Sequence, residues 1–278
     1  MRISPIHAGL FKLDGGAMHG VVPKSMWQKL NPADENNMCT WALRCLLIEA
    51  DGSLVLIDTG MGDKQDEKFF GHYDIHGPHS LIQSIRNAGY HETEITDVVH
   101  THLHFDHCGG SIKGANGGYA YTFPNAKYWV DEKHWNWAIY PNAREKASFL
   151  KENLLPIQDL GALNFLPENG SSPWRWMELF HCYGHTEAMV LPIIQTKSGK
   201  LVFTADLFAS THHVPMPWIM GYDMRPLETM ADKTRFFERA LSEDWTLFFE
   251  HDSQTECARL GQTDKGVRVA ERFDFASW

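Results

Sequence analysis

The sequence has no run approaching the ~20 apolar residues that a membrane-spanning helix needs. Residues 1–7 (MRISPIH) lack the apolar core of a secretory signal, so a membrane partner is not expected. Cysteine is scarce. The five thiols, Cys39, Cys45, Cys108, Cys182 and Cys257, are scattered, odd in number and form no CxxC pair. That argues against a disulfide framework and fits reduced thiols in a cytoplasmic protein. Basic charge is in the minority: 25 Lys and Arg face 35 Asp and Glu, for a formal charge of -10. So acidic a chain is a poor binder of phosphate backbones, and nucleic acid is excluded as a partner. No internal repeat, low-complexity tract or linker interrupts it. The expectation is a single domain over residues 1–278, with a loop and helix insertion around residues 112–176.

A hydrophobic content of 43% in 278 residues is enough for a large core. Residues 11–23 are Gly-rich and end in Pro, which reads as a structured loop. Residues 41–49 and 54–57 read as two strands joined by the turn Asp51-Gly52. Apolar residues at 81, 82, 85 and 88 have helical spacing, with Gly89 as the stop. Strands are expected at 95–101 and 126–130. A helix capped by Asp131 follows, then a second over residues 144–155, ended by Pro156. Later strands are expected at 178–182, 190–195, 201–204 and 246–249, a helix at 228–241, and a last hairpin at 257–269. Strand–helix–strand order of this kind predicts a layered α/β protein.

The chemistry concentrates at residues 102–107, HLHFDH. Imidazole suits zinc and related metals, and a carboxylate adds charge. His102 and His104, two apart, point the same way if extended. Asp106 and His107 can face a second point if the chain turns helical there, with Gly109-Gly110 supplying backbone freedom. Two metals are therefore expected, each short of ligands. His185, Asp206 and His251 each follow a strand-like run and can complete the count. His212 and His213 are spare histidines rather than ligands, and Cys108 and Cys182 are small buried residues. Asp58, ending the run at 54–57, is read as a carboxylate that orients a ligand histidine. The apolar stretches that carry Met18, Trp27, Trp218 and Met220, with Val21 and Ile219, are candidates for a substrate pocket.

These motifs together resemble the metallo-β-lactamase superfamily: HxHxDH at 102–107, Gly-His at 184–185, Asp206, His251 and Asp58-Thr59-Gly60. The resemblance covers nearly the whole chain. It implies an αββα sandwich with a dinuclear site. One metal takes His102, His104 and His185, the other takes Asp106, His107 and His251, and Asp206 bridges. Within the superfamily, THLHFDHCGG at 101–110 is similar to N-acyl homoserine lactonases, and residues 13–27 and 217–229 are similar to a quorum-quenching branch. One lactonase group carries a catalytic Tyr three residues after the bridging Asp, and here that position is Ala209. Asp206 stands where some β-lactamases use Cys, which argues against antibiotic hydrolysis.

The function expected is a metal-dependent hydrolase that opens a lactone ring with a metal-bridging hydroxide. Asp106 is both a ligand and the residue placed to move a proton to the leaving alkoxide. The cofactors implied are two divalent ions, zinc by ligand type. The partner is a small ester or lactone, with homodimerisation left open. An organophosphate triesterase or another esterase on the same residues is the alternative, and a non-hydrolytic metal sensor is a further one.

Overall fold

Apolar alternation along the chain resolves into two six-stranded sheets in a computed structural model, which describes residues 1–278. The first sheet runs β1 (Arg2–Asp14), β2 (Met38–Ala50), β3 (Ser53–Ile57), β4 (Asp97–Val99), β5 (Lys127–Val130) and β6 (Leu163–Phe165), neighbours in that order. β2 and β3 are antiparallel, and the turn between them has positive φ at both Asp51 and Gly52. That is the backbone a two-residue hairpin requires. β3, β4, β5 and β6 pair in parallel. Parallel strands are covered on both faces, which is why β3 reads as the continuous apolar run LVLI.

The second sheet runs β7 (Met177–Cys182), β8 (Met189–Thr196), β9 (Gly199–Phe203), β10 (Thr246–Phe248), β11 (Cys257–Thr263) and β12 (Gly266–Phe273). Its one parallel pair is β9 with β10. A parallel step needs a long crossover, and the helix Pro226–Ser242 lies in that segment of chain.

The chain forms two compact units: residues 1–10 with 43–171, and residues 11–42 with 172–278. Leu47, Leu56, Ile85, Val98, Phe123 and Tyr128 are among the core of the first. A smaller cluster of Leu103, Cys108, Trp135, Phe149 and Leu154 packs around the chain that follows β4. In the second unit Phe236 is fully buried, with its ring 5.0 Å from Phe208, 5.2 Å from Trp245 and 5.7 Å from Phe180. Burying one such side chain contributes about 1.5–3 kcal/mol. All five cysteines are buried as free thiols. No helix is long and apolar enough to cross a membrane.

Two local expectations are corrected. Residues 11–23 are not one loop, because β1 continues to Asp14, which then caps the short helix Gly15–His19 through Ala17 N–H. The helix expected at 144–155 begins only at Lys151 and runs to Asp159 with Pro156 inside it. Pro156 is the sixth of its nine residues, so the helix goes without the ladder bond that an N–H there would make. The helix Pro226–Ser242 buries Asp232 and Lys233 with Phe236, Phe237 and Ala240, while Ala231 and Leu241 face outward. Those two buried charges hold the loops described below.

Candidate metal centre

In the first unit, β4 ends at Val99 and the chain leaves the sheet. Residues 101–104 carry no helix or strand and run extended into His104, whose ψ is 151°. His102 and His104 therefore project together: His102 Nε2 lies 3.1 Å from His104 Nδ1. The chain then turns into the helix Phe105–Cys108, and Phe105 N–H donates to Ser148 O at 3.0 Å. That turn brings Asp106 and His107 out beside each other, with 3.9 Å from Asp106 Oδ2 to His107 Nε2. The His102 and His107 ring centroids are 3.9 Å apart. All four side chains are buried.

The rings of His107 and His104 are each oriented by a neighbouring carboxylate. Asp58, fully buried at the end of β3, accepts from Thr101 N–H at 2.9 Å and from the Thr101 hydroxyl at 2.6 Å. It also holds His107 Nδ1 at 3.1 Å. The expected carboxylate–histidine pair is thus present. Glu145 Oε1 lies 3.0 Å from His104 Nε2, and its other oxygen accepts from Trp137 Nε1 at 2.7 Å and Asn142 Nδ2 at 3.1 Å. His134 Nε2 accepts Leu103 N–H at 2.8 Å, fixing the backbone between the two histidines. Glu145 and His134 were not foreseen. They lie more than thirty residues downstream, and no local spacing links them to the motif.

Gly109 and Gly110 have a different purpose from the one expected. Gly109 has ordinary helical angles, φ -60° and ψ -34°. A Cβ there would lie 2.0 Å from Met61 O, and one on Gly110 would lie 2.1 Å from Thr59 O. The pair is needed for close approach to the segment that follows Asp58, and Thr59 N–H donates to His107 O at 2.7 Å across that contact.

In the second unit, His185 follows β7 in a loop fastened to the helix Pro226–Ser242. Asp232 accepts from Tyr183 N–H at 2.7 Å and Gly184 N–H at 3.0 Å. A Cβ on Gly184 would lie 2.2 Å from Thr229 N, so only glycine fits. Asp223 Oδ1 lies 2.8 Å from His185 Nδ1, and Asp223 Oδ2 accepts from the Thr229 hydroxyl at 2.8 Å. Asp206 sits one residue beyond Ala205, whose φ is 42°, so the chain turns sharply after β9. Its carboxylate faces His185 Nε2 at 3.1 Å and His251 Nε2 at 3.3 Å. His251 Nδ1 is held at 2.8 Å from Ala42 O. Burial alone disfavours charge on His185, but Asp206 and Asp223 outweigh it and raise the imidazole to about 10.

Trp218 and Met220 line a crevice with Asp206 in this unit, whereas Met18 and Trp27 are buried and do not line it. Val21 is 92% exposed. Behind Trp218, His19 stacks between Trp27 and His213, both at 5.1 Å. His213 is committed to Ser210 and Met18 O, so both of its ring nitrogens are in use. Ala209 is fully buried and offers no hydrogen-bond donor in its side chain.

The donor chemistry fits divalent ions. His107, His185 and His251 each have Nδ1 tied to an acceptor, and His104 has Nε2 tied. That leaves the other ring nitrogen of each to face a metal, the arrangement found around bound metals. The metallo-beta-lactamase superfamily model matches residues 44–251. The chain belongs to that superfamily. It is a hydrolase of mixed α/β fold, as the sequence led one to expect. An N-acyl homoserine lactonase from a Bacillus species is 26% identical over 241 residues, covering 82% of this chain and 86% of the relative. A probable metal-dependent hydrolase from Staphylococcus aureus has a TM-score of 0.88 and 27% identity, covering 98% of this chain and 96% of its own. AidC, a dizinc quorum-quenching lactonase, has a TM-score of 0.78 at 20% identity, covering 98% and 95%.

Proposed function

We propose that this hydrolase opens the ring of an N-acyl homoserine lactone or a close relative, and that its two units act as one catalytic domain. The observation that carries the metal reading is the set of buried histidines whose outer nitrogens are held by Asp58, Glu145, Asp223 and Ala42 O. His102, His104, His185 and Asp206 would hold one ion and Asp106, His107 and His251 a second, and Asp206 would serve both. Bound divalent ions would polarise the ester carbonyl and activate water as the nucleophile. Zinc is the ion that this His/Asp set suits first.

The chain's own residues do the rest. Asp58 and Glu145 fix the rings of His107 and His104, so the centre is held in place before substrate arrives. Asp106, buried at the start of its helix, moves a proton to the ring oxygen as the C–O bond breaks. Trp218 and Met220, lining the crevice with Asp206, are placed to contact the acyl part of the substrate. The lactone assignment itself draws on the lactonases to which the chain is similar.

A substrate panel tests it. Metal-loaded protein is given an N-acyl homoserine lactone, an aryl ester and an organophosphate triester. Faster turnover of the lactone than of the other two supports the proposal. Turnover confined to the triester or the aryl ester overturns the lactone assignment and leaves the metal centre standing.

A further inference from the structure

Lys233, in the helix Pro226–Ser242, is a buried cation that the metal centre does not use. Its ammonium donates to His213 O at 2.6 Å and Trp218 O at 2.8 Å, and lies 3.4 Å from Pro215 O. Carbonyls of one short segment, residues 213–218, thus converge on a single nitrogen. That nitrogen stands 5.4 Å from the centroid of the Phe208 ring. The flanks of the segment are tied as well. His213 Nε2 lies 2.9 Å from Met18 O, and Gly221 N–H donates to Ala17 O at 2.8 Å.

Burying an ammonium among carbonyl oxygens is unfavourable, and an apolar side chain of the same length would fill the space without that penalty. What the charge provides is a fixed position for one stretch of backbone, and that stretch is the wall of the crevice. Lys233 itself lines the crevice with Asp206, Leu207, Trp218, Ile219 and Met220. The empty space there is about 160 Å³. An apolar space of about 150 Å³ holds a guest of roughly six carbons, and pockets for larger ligands begin near ~300 Å³. A longer chain would have to displace Trp218 against its bond to Lys233.

We propose that Lys233 is a positioning residue that sets acyl-chain length: by holding residues 213–218 at their carbonyls, it keeps the crevice at the size of a short acyl chain, about six carbons. The assignment rests on the lactone-hydrolase reading, with the acyl group seated in this crevice. Lys233 touches no reacting atom and acts on the substrate only through Trp218 and the residues beside it.

The test compares butanoyl, hexanoyl and dodecanoyl homoserine lactones on metal-loaded wild type, Lys233→Met and Lys233→Gln. In wild type, kcat/KM should rise about four-fold for each methylene added up to hexanoyl. It should then fall about 10-fold or more at dodecanoyl, chiefly through KM, because overfilling a packed space is unfavourable. Lys233→Met keeps the stem and removes every N–H. It should level hexanoyl and dodecanoyl, raising KM for the first and lowering it for the second, with kcat much less affected. A purely structural role would lower turnover of both chains alike. Lys233→Gln, shorter and with fewer N–H groups, should move the ratio the same way by about three-fold or more. Equal kcat/KM for hexanoyl and dodecanoyl in wild type overturns the assignment while lactone opening stands. The wild-type ratio in whichever variant folds also overturns it, and a chain that folds with neither variant places Lys233 in the scaffold alone. A wild type that opens no lactone overturns the lactone reading and this role with it.

Discussion

Replacing Asp58 separates a residue that merely shapes a turn from one that holds the metal centre. Its carboxylate is fully buried and accepts three hydrogen bonds, from Thr101 N–H at 2.9 Å, the Thr101 hydroxyl at 2.6 Å and His107 Nδ1 at 3.1 Å. In Asp58→Ala the Thr101 N–H is left buried without an acceptor, at about 1–3 kcal/mol. The residue also has φ 55°, a conformation that disfavours Ala by about 1–2 kcal/mol. A total stability loss of about 2–5 kcal/mol follows from these terms. Asp58→Asn is the sharper probe. Asn tolerates that backbone and its carbonyl can still accept from Thr101, but its NH2 meets His107 Nδ1, so the ring loses its acceptor. Metal affinity should fall about 10- to 100-fold, the effect of losing such an orienting partner. Chelator competition at fixed pH reads the affinity, and urea denaturation reads the stability. An Asp58→Asn protein that binds both ions with wild-type affinity would refute the orienting role and leave Asp58 as a turn former.

Asp223→Asn should weaken metal binding by a similar ~10- to 100-fold through His185, measured by the same competition; unchanged affinity would remove Asp223 from the support of that ligand. Gly184→Ala drives a methyl to 2.2 Å from Thr229 N, so the loop carrying His185 must move. A loss of about 3 kcal/mol or more in urea unfolding is expected, and a variant as stable as wild type would contradict the packing described. His19 has both ring nitrogens buried without partners, and burial, with His212 adding to it, lowers it to about 4 from 6.5. The folded state therefore binds fewer protons than the unfolded state between these values, and stability is lost as pH falls from about 6.5 to 4. The cost at the acid end reaches at most ~3 kcal/mol. His19→Phe should remove that acid sensitivity and raise the melting temperature; an unchanged pH profile would show that His19 is not the group responsible.

The donor-rich motif and the strand order were legible because both are local. HLHFDH places four donors in six residues, and the chain switches from extended to helical at Phe105, between its two pairs. His185, Asp206 and His251 each follow a strand, and the strand patterns of β7, β9 and β10 are plain in the sequence. What stayed hidden is long-range. Glu145 reaches His104 from 41 residues away and Asp223 reaches His185 from 38, so neither has a spacing that betrays it. Asp232 and Lys233 look like solvated charges on an amphipathic helix. In the fold, Asp232 caps the backbone of Tyr183 and Gly184, and Lys233 donates to His213 O at 2.6 Å and Trp218 O at 2.8 Å. Gly109-Gly110 misled for the same reason: the demand for glycine comes from the carbonyls of Thr59 and Met61, invisible to a local reading of turns.

Metal-dependent lactone opening is tested most directly by returning metal to chelator-stripped protein. Zinc is titrated in, and the initial rate of N-acyl homoserine lactone opening is followed against equivalents bound per chain. The proposed two-ion centre predicts a rate that climbs to a plateau at two equivalents. A plateau at one equivalent, or a rate in stripped protein equal to that of loaded protein, would contradict it.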